Sequence, residues 1–342
     1  MSDRNTKAVA SGRGAPSPAR KLSAGAYRLG RGLADRLGLR NTSAGRQAQA
    51  ALNILGQIAA RQILFRGRRP IEVDGQSVRL AGKHAPSPAL ASALIEGHYE
   101  GATRRLIETL LPEGGTFIDI GAHVGLYTLA AARRVGPSGR VFAFEPEPDN
   151  RQLLRENIRL NGYRNVTIVP LAVCDRSGES QLFVSRQGND RHSLFRNPSS
   201  PLRESTETVH TTTLDDFLVS ARWPEIDLVK MDIEGAEPLA IDGMRGLIER
   251  SSRLRMIVEF SPGMLEAGGA SPRDFLAALA DRDMELFTIE DDGSLVPLRA
   301  SEFREATGKI RARGVINLFC RKGKPGQPDG AFAHSGRAGE RS

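Results

Sequence analysis

The chain of 342 residues has only two cysteines, Cys174 and Cys320, far apart in the sequence. That excludes a disulfide framework and the close Cys or His pairs of a zinc site, and it suits a reducing, cytoplasmic setting. No apolar run approaches the ~20 residues that cross a bilayer, so a membrane-spanning reading falls as well. Gly 36 and Pro 19 are spread without a period, which excludes a collagen-like chain. With 39% hydrophobic and 26% charged residues, the sequence is long enough and apolar enough to bury a full core.

Acidic residues are nearly missing from the first seventy positions, where 14 Lys and Arg face only Asp3 and Asp35. The remaining chain carries 34 Lys and Arg against 38 Asp and Glu, so the formal net charge of +8 belongs to an N-terminal arm, and the core is mildly acidic. Residues 1–20, rich in Ser, Gly, Ala, Pro and Arg, have too little apolar surface to offset the entropy of ordering. They are expected to form a disordered basic tail that lacks the apolar stretch of a secretion signal. Within 21–70, Leu22, Ala26, Leu29, Leu33 and Leu37, then Leu52, Leu55, Ile58, Ala59 and Ile63, recur at helical spacing among arginines. This predicts a basic amphipathic helical arm that packs on the core or on a second copy as a homodimer, in preference to a membrane surface. Residues 322–342 are Gly-, Pro- and Lys-rich and are expected to be a disordered tail.

From Ile71 the pattern changes. Asp74-Gly75 between Ile71-Glu72-Val73 and Val78-Arg79-Leu80 predicts a hairpin. Strand-like runs then follow at 116–120, 140–144, 166–169, 226–231, 255–260, 285–289 and 315–320, with helical stretches at 126–134, 149–161, 237–249 and 272–282. Apolar strands alternating with amphipathic helices predict an α/β domain over 71–321, a doubly wound Rossmann-like sheet of about seven strands. With no helix expected before it, the last run reads as a C-terminal antiparallel strand. Residues 171–225 exceed one crossover, and they read as an insertion facing the acceptor.

Thr116 to Ile120 runs into Gly121-Ala122-His123-Val124-Gly125 and then a helix. Such a turn lets a ligand approach the backbone. A dinucleotide fingerprint starting at Gly121 would need glycine at 123 and 126, where this chain has His123 and Leu126. The remaining pattern, D-x-G-x-x-x-G, is similar to the first motif of class I S-adenosylmethionine-dependent methyltransferases. The next strand ends in Phe144-Glu145-Pro146, whose acid can accept hydrogen bonds from both hydroxyls of a ribose. The fourth strand ends in Lys230-Met231-Asp232-Ile233-Glu234-Gly235-Ala236-Glu237, which places Asp232 at the ligand-binding edge of the sheet. Glu234 and Glu237 also suit a helix N-terminus on dipole grounds alone.

These segments, with Glu156-Asn157, Leu160-Asn161-Gly162 and Thr213-Leu214-Asp215-Asp216-Phe217, resemble the FkbM-type methyltransferases from about Tyr99 to Cys320. The resemblance implies methyl transfer from S-adenosylmethionine to oxygen, typically a hydroxyl of a sugar or glycan or of a secondary metabolite. It implies that Asp119, Gly121, His123 and Gly125 line the methionine part of the cofactor, with His123 where many relatives have asparagine. Glu145 would hold the ribose, Ala172 and Val173 would lie by the adenine, and Asp232 would face the transfer site.

Transfer to an alcohol needs a group that removes its proton, and Asp232, Glu234, Glu259 and His192 are the candidates. Glu259 ends the fifth strand in Ile257-Val258-Glu259, on the same sheet edge as Asp232. A divalent metal bridging those acids is the less favoured arrangement. Two rival readings are a nucleic-acid methyltransferase tethered by its basic arm and a non-catalytic assembly protein. The first lacks the Asn/Asp-Pro-Pro-aromatic turn after the fourth strand, and the second should have lost the glycine turn or Glu145. No nucleic acid and no membrane span are expected among the partners.

Overall fold

The computed structural model describes residues 70–82, 86–87, 90, 94, 100–185, 188–196 and 204–322. The expected tails and nearly all of the helical arm lie outside the described residues. A hairpin of β1 (Ile71–Val73) and β2 (Gln76–Val78) is followed by α1 (Gly101–Leu110), β3 (Thr116–Ile120), α2 (Leu126–Val135), β4 (Arg140–Phe144), α3 (Pro148–Leu160) and β5 (Val166–Val169). The insertion contains β6 (Ala172–Val173), β7 (Gly178–Ser185), β8 (Glu204–Thr212) and α4 (Leu214–Ser220). Then come β9 (Leu228–Met231), α5 (Glu237–Asp242), α6 (Arg245–Arg250), β10 (Arg255–Phe260), α7 (Pro262–Ala267), α8 (Pro272–Ala280), β11 (Met284–Ile289), β12 (Leu295–Pro297), α9 (Phe303–Arg313) and β13 (Ile316–Lys322).

The main sheet has the order β12-β11-β13-β10-β9-β3-β4-β5. Strands β10, β9, β3, β4 and β5 are parallel, and β13 runs antiparallel to both β10 and β11. The doubly wound class is as expected, with eight strands in place of about seven. The last strand is antiparallel, but α9 precedes it. That helix is charged along most of FREATGKIRAR and buries few apolar side chains, so periodicity does not announce it. The helix expected over 237–249 divides at Gly243 and Met244. There Asp215 accepts the Gly246 and Leu247 N–H groups (2.6 and 3.0 Å) and starts α6. The insertion forms its own three-stranded sheet, β6-β8-β7.

Alternate residues of the central strands enter two cores. Phe117, Val141, Leu228, Ile257 and Phe319 pack with α1 and α2 on one face. Ile118, Val229, Met256, Val258 and Leu318 pack with α4 to α8 on the other. The period of two therefore puts Asp119, Lys230 and Glu259 on the α1/α2 face, at the carboxyl ends of three adjacent strands. Asp119 pairs in register with Lys230, and Asn317 of β13 stands opposite Glu259. Beyond β3 the chain order reverses across the sheet, and that gap at the strand ends is where open α/β folds receive ligands.

Candidate active site

At the carboxyl ends of β9, β3 and β4 a solvent-open cavity of about 900 Å³ is lined by Gly121, Ala122, His123, Tyr127, Glu145, Asn150, Ala172, Val173, Asn189, His192, Asp232 and Glu234, among others. Of the residues expected to touch a cofactor, Gly121, His123, Glu145, Ala172 and Val173 face the cavity, whereas Asp119 and Gly125 do not line it. Asp119 is buried behind the turn, accepts a hydrogen bond from Thr128 Oγ1 (2.5 Å) and is raised by burial to about 6. A Cβ at Gly125 would meet Leu154, and both glycines of the turn have positive φ.

Gly121 is required for a reason that the sequence does not show. At φ +84 a Cβ there would lie 1.9 Å from the Asp232 carbonyl oxygen, so the β3 turn packs directly on the β9 turn. Close packing of two backbones, rather than ligand approach, excludes a side chain.

Glu145 is buried, and each of its oxygens already accepts a backbone N–H: Oε2 from His123 (2.8 Å) and Oε1 from Glu147 (2.9 Å). Burial outweighs those bonds and raises its carboxyl to about 7. The two contacts tie β4 to the glycine turn and leave second lone pairs for hydroxyl donors. His123 holds a left-handed backbone, and burial lowers its ring pKa.

Across the turn lies a cluster that the sequence reading gave only in part. Lys230 is fully buried, with Nζ 3.3 Å from Asp232 Oδ2 and 5.1 Å from the centre of the Tyr127 ring. Although burial acts against its charge, Asp232, Glu100, Glu259 and Asp119 together raise its pKa, so it stays an ammonium. Glu100 caps α1 with a left-handed backbone, and burial raises it to about 7. Glu234 and Glu259 are driven well above the usual carboxyl range by burial and then by the Asp232 carboxylate. Glu234 lines the cavity, while Glu259 is buried behind it. Glu237 is a clamp: its oxygens accept from Ile233 N and Gly235 N (both 3.0 Å) and fix the loop that carries Asp232 and Glu234.

Asp232, Glu234 and Glu259 each bring an oxygen within 4.8 Å of the others, a spacing that suits a cation. The chain itself supplies a cation to two of the three, Asp232 and Glu259, in Lys230. His192 lines the cavity, and its Nδ1 accepts from Ser185 N (3.1 Å). Lys230, Glu100, Tyr127, Asn150 and Asn189 went unnoticed in the sequence. A lysine within Leu228-Val229-Lys230-Met231 was the one visible sign, because a cation inside a buried strand needs partners.

The chain is 28% identical over 192 residues to the 2-O-methyltransferase NoeI of Sinorhizobium fredii, covering 52% of this chain and 75% of that protein. It is 26% identical over 181 residues to the hexuronic acid methyltransferase AglP of Haloferax volcanii, covering 52% of this chain and 66% of that one, just under two thirds. Among solved structures, an O-methyltransferase from Bacillus cereus in complex with SAH aligns at a TM-score of 0.38 and 12% identity, over 71% of this chain and 84% of that one. That likeness is too loose to bear on function. Residues 119–286 match the methyltransferase FkbM domain, a span that includes the glycine turn, Glu145, the insertion and Asp232. That span, just under half of the chain, is similar to the FkbM methyltransferases, and the domain that holds the cavity is a methyltransferase domain.

Proposed function

We propose that the domain transfers a methyl group from S-adenosylmethionine to a hydroxyl oxygen of a sugar or glycan. The observation that carries this reading is a single cavity at the switch point of the sheet, with Gly121 at its floor, Glu145 on one side and Asp232 on the other. The names of the two relatives favour a sugar hydroxyl as acceptor. Asp190 and Asp232 on the cavity wall disfavour a polyanionic acceptor such as nucleic acid.

The residues fit the donor. Glu145 offers acceptors to a ribose, and Ala172 and Val173 offer an apolar wall to a base. S-adenosylmethionine supplies a methyl group already activated on a sulfonium, so the protein mainly aligns the acceptor oxygen and excludes water. Asp232, at 21% side-chain exposure, is the acid of the trio that reaches the cavity with a fixed cation beside it. It takes up the acceptor's hydroxyl proton as the new bond forms, a contribution of ~10²–10⁴-fold. Burial and the Asp232 carboxylate drive Glu234 and Glu259 well above the usual carboxyl range, which makes a proton on either easier to keep and leaves the base role to Asp232.

The test is incubation of the full chain with S-adenosylmethionine and a panel of neutral, amino and uronic sugars, following S-adenosylhomocysteine release and the mass gain of each sugar. Methylation of a sugar oxygen is the expected outcome. Donor binding with no methyl transfer to any hydroxylated acceptor would overturn the acceptor class, and absence of donor binding would overturn the reading entirely.

A further inference from the structure

The insertion reaches the turn that carries Asp232 through a buried hydroxyl. Ser193, in the loop that follows β7, is 3% exposed and lines the cavity. Its Oγ donates to the Glu234 carbonyl (2.7 Å) and accepts from Phe195 N (3.0 Å). Its backbone exchanges two hydrogen bonds with Phe183 of β7 (2.8 and 3.2 Å), which fixes where the hydroxyl stands. Earlier in the same loop, Asp190 accepts from Ser87 N and Oγ (2.6 and 2.7 Å). The loop is therefore held by β7, by the segment before α1 and by the turn after β9.

That turn depends on its neighbours. Glu234 has φ +53, a left-handed backbone that is costly for a residue with a Cβ and persists only where the surroundings hold it. Glu237 holds the turn's N–H groups from within the same segment, and a Cβ on Gly235 would lie 2.4 Å from the Met264 carbonyl oxygen of α7. At the start of the turn the Asp232 carbonyl packs on Gly121. Ser193 supplies the bond to the Glu234 carbonyl, so the turn is pinned on either side of the Asp232 carboxylate. Misplacing a reacting group by about 1 Å costs on the order of 10² in rate, so a turn free to relax at Glu234 would be felt in the chemistry.

We propose that Ser193 is a positioning residue: its hydroxyl sets the turn after β9, and through that turn the Asp232 carboxylate, against the acceptor oxygen. This rests on the base role given to Asp232 above. The insertion then serves methyl transfer by holding the turn that bears the base, since the one proton of the Ser193 hydroxyl is committed to Glu234.

The test combines amide hydrogen exchange, calorimetry with S-adenosylhomocysteine, and methyl transfer to a mixture of glucose, glucosamine and glucuronic acid. It compares the wild type with Ser193→Ala, Ser193→Cys and Ser193→Thr, each with and without Asp232→Asn. Ser193→Ala should speed exchange at least about tenfold in the peptide over 232–236 and leave the peptide over β4 unchanged. Its turnover should fall at least about tenfold while the S-adenosylhomocysteine dissociation constant stays within about twofold, and Ser193→Thr, which keeps the hydroxyl, should restore the rate. In the Asp232→Asn background the same alanine change should cost less than about twofold, because the group that it misplaces is already gone. Ser193→Cys keeps nearly the size of serine but donates only weakly, so it carries the same expectation where the alanine variant folds poorly. Unchanged exchange over 232–236, or an equal loss of turnover in both backgrounds, would overturn the proposal. Donor binding by the wild type with no transfer to any of the three sugars would overturn the acceptor reading beneath it, while the exchange comparison still decides the role of Ser193.

Discussion

Donor binding should be tied to the titration of Glu145. Its carboxyl, ordinarily near 4.5, is raised to about 7 by burial, a difference worth about 3 kcal/mol at ~1.36 kcal/mol per pH unit. The folded state keeps the proton that the unfolded state has already lost, so this group lowers stability as pH rises from about 4.5 to about 7 and has no further effect above that. A ribose donates hydrogen bonds and so prefers the carboxylate, which means that donor binding must expel the proton below pH 7. The dissociation constant for S-adenosylhomocysteine should therefore fall by up to about tenfold per pH unit below 7 and level off above it. Calorimetry at pH 6 in buffers of different ionisation enthalpy should count close to one proton released. Glu145→Gln should bind at least about tenfold more weakly at pH 8 and show no such pH slope, since a charged acceptor contributes ~1.5–3 kcal/mol. The amide also presents an NH2 to one of the two backbone N–H groups, so its melting temperature should drop. A flat wild-type profile, or the same slope in Glu145→Gln, would refute the reasoning.

Gly121→Ala should destabilise the fold by more than ~3 kcal/mol or prevent soluble expression, because its Cβ would strike the Asp232 carbonyl; a wild-type melting curve would contradict that packing. Asp232→Asn should lower turnover at least ~10²-fold while changing donor affinity little, and near-normal turnover would move the base role to Glu234 or His192. Lys230→Met removes the buried cation that faces Asp232, Glu100, Glu259 and Asp119 and should lose ~3–5 kcal/mol in denaturant unfolding. Chelator should leave the wild-type rate unchanged if Lys230 serves Asp232 and Glu259 as their cation; inactivation reversed by added Mg²⁺ would show that a metal occupies the trio.

Much of the sheet was legible because its strands are short apolar runs bounded by turns. The stretches 116–120, 140–144, 166–169 and 255–260 were read at the bounds the structure gives. Glu145 and Asp232 were legible for the same reason, since an acid just past an apolar strand falls at the sheet's edge. What stayed hidden depends on distant contacts. Lys230 gains its meaning from Glu100, some 130 positions earlier, and Asn150 gains its meaning from a loop inside the insertion. Asp119 and Gly125 belong to a motif that suggests a ligand, yet here they hold Thr128 and make room for Leu154. Spacing identifies the turn but not which side of it an atom occupies.

Strand β13 lies inside the main sheet, with Leu318, Phe319 and Cys320 fully buried between β10 and β11. During synthesis, β10 must therefore wait with an unpaired edge until residue 322 has left the ribosome, and β11 has no partner toward the rest of the sheet before then. An exposed, apolar, unpaired edge invites pairing with another nascent chain. Contacts this far apart in sequence also form slowly. The half of the sheet from β3 to β5 can assemble early, whereas β10 to β12 close only at the end, so chaperone demand and aggregation during expression should fall on the C-terminal half.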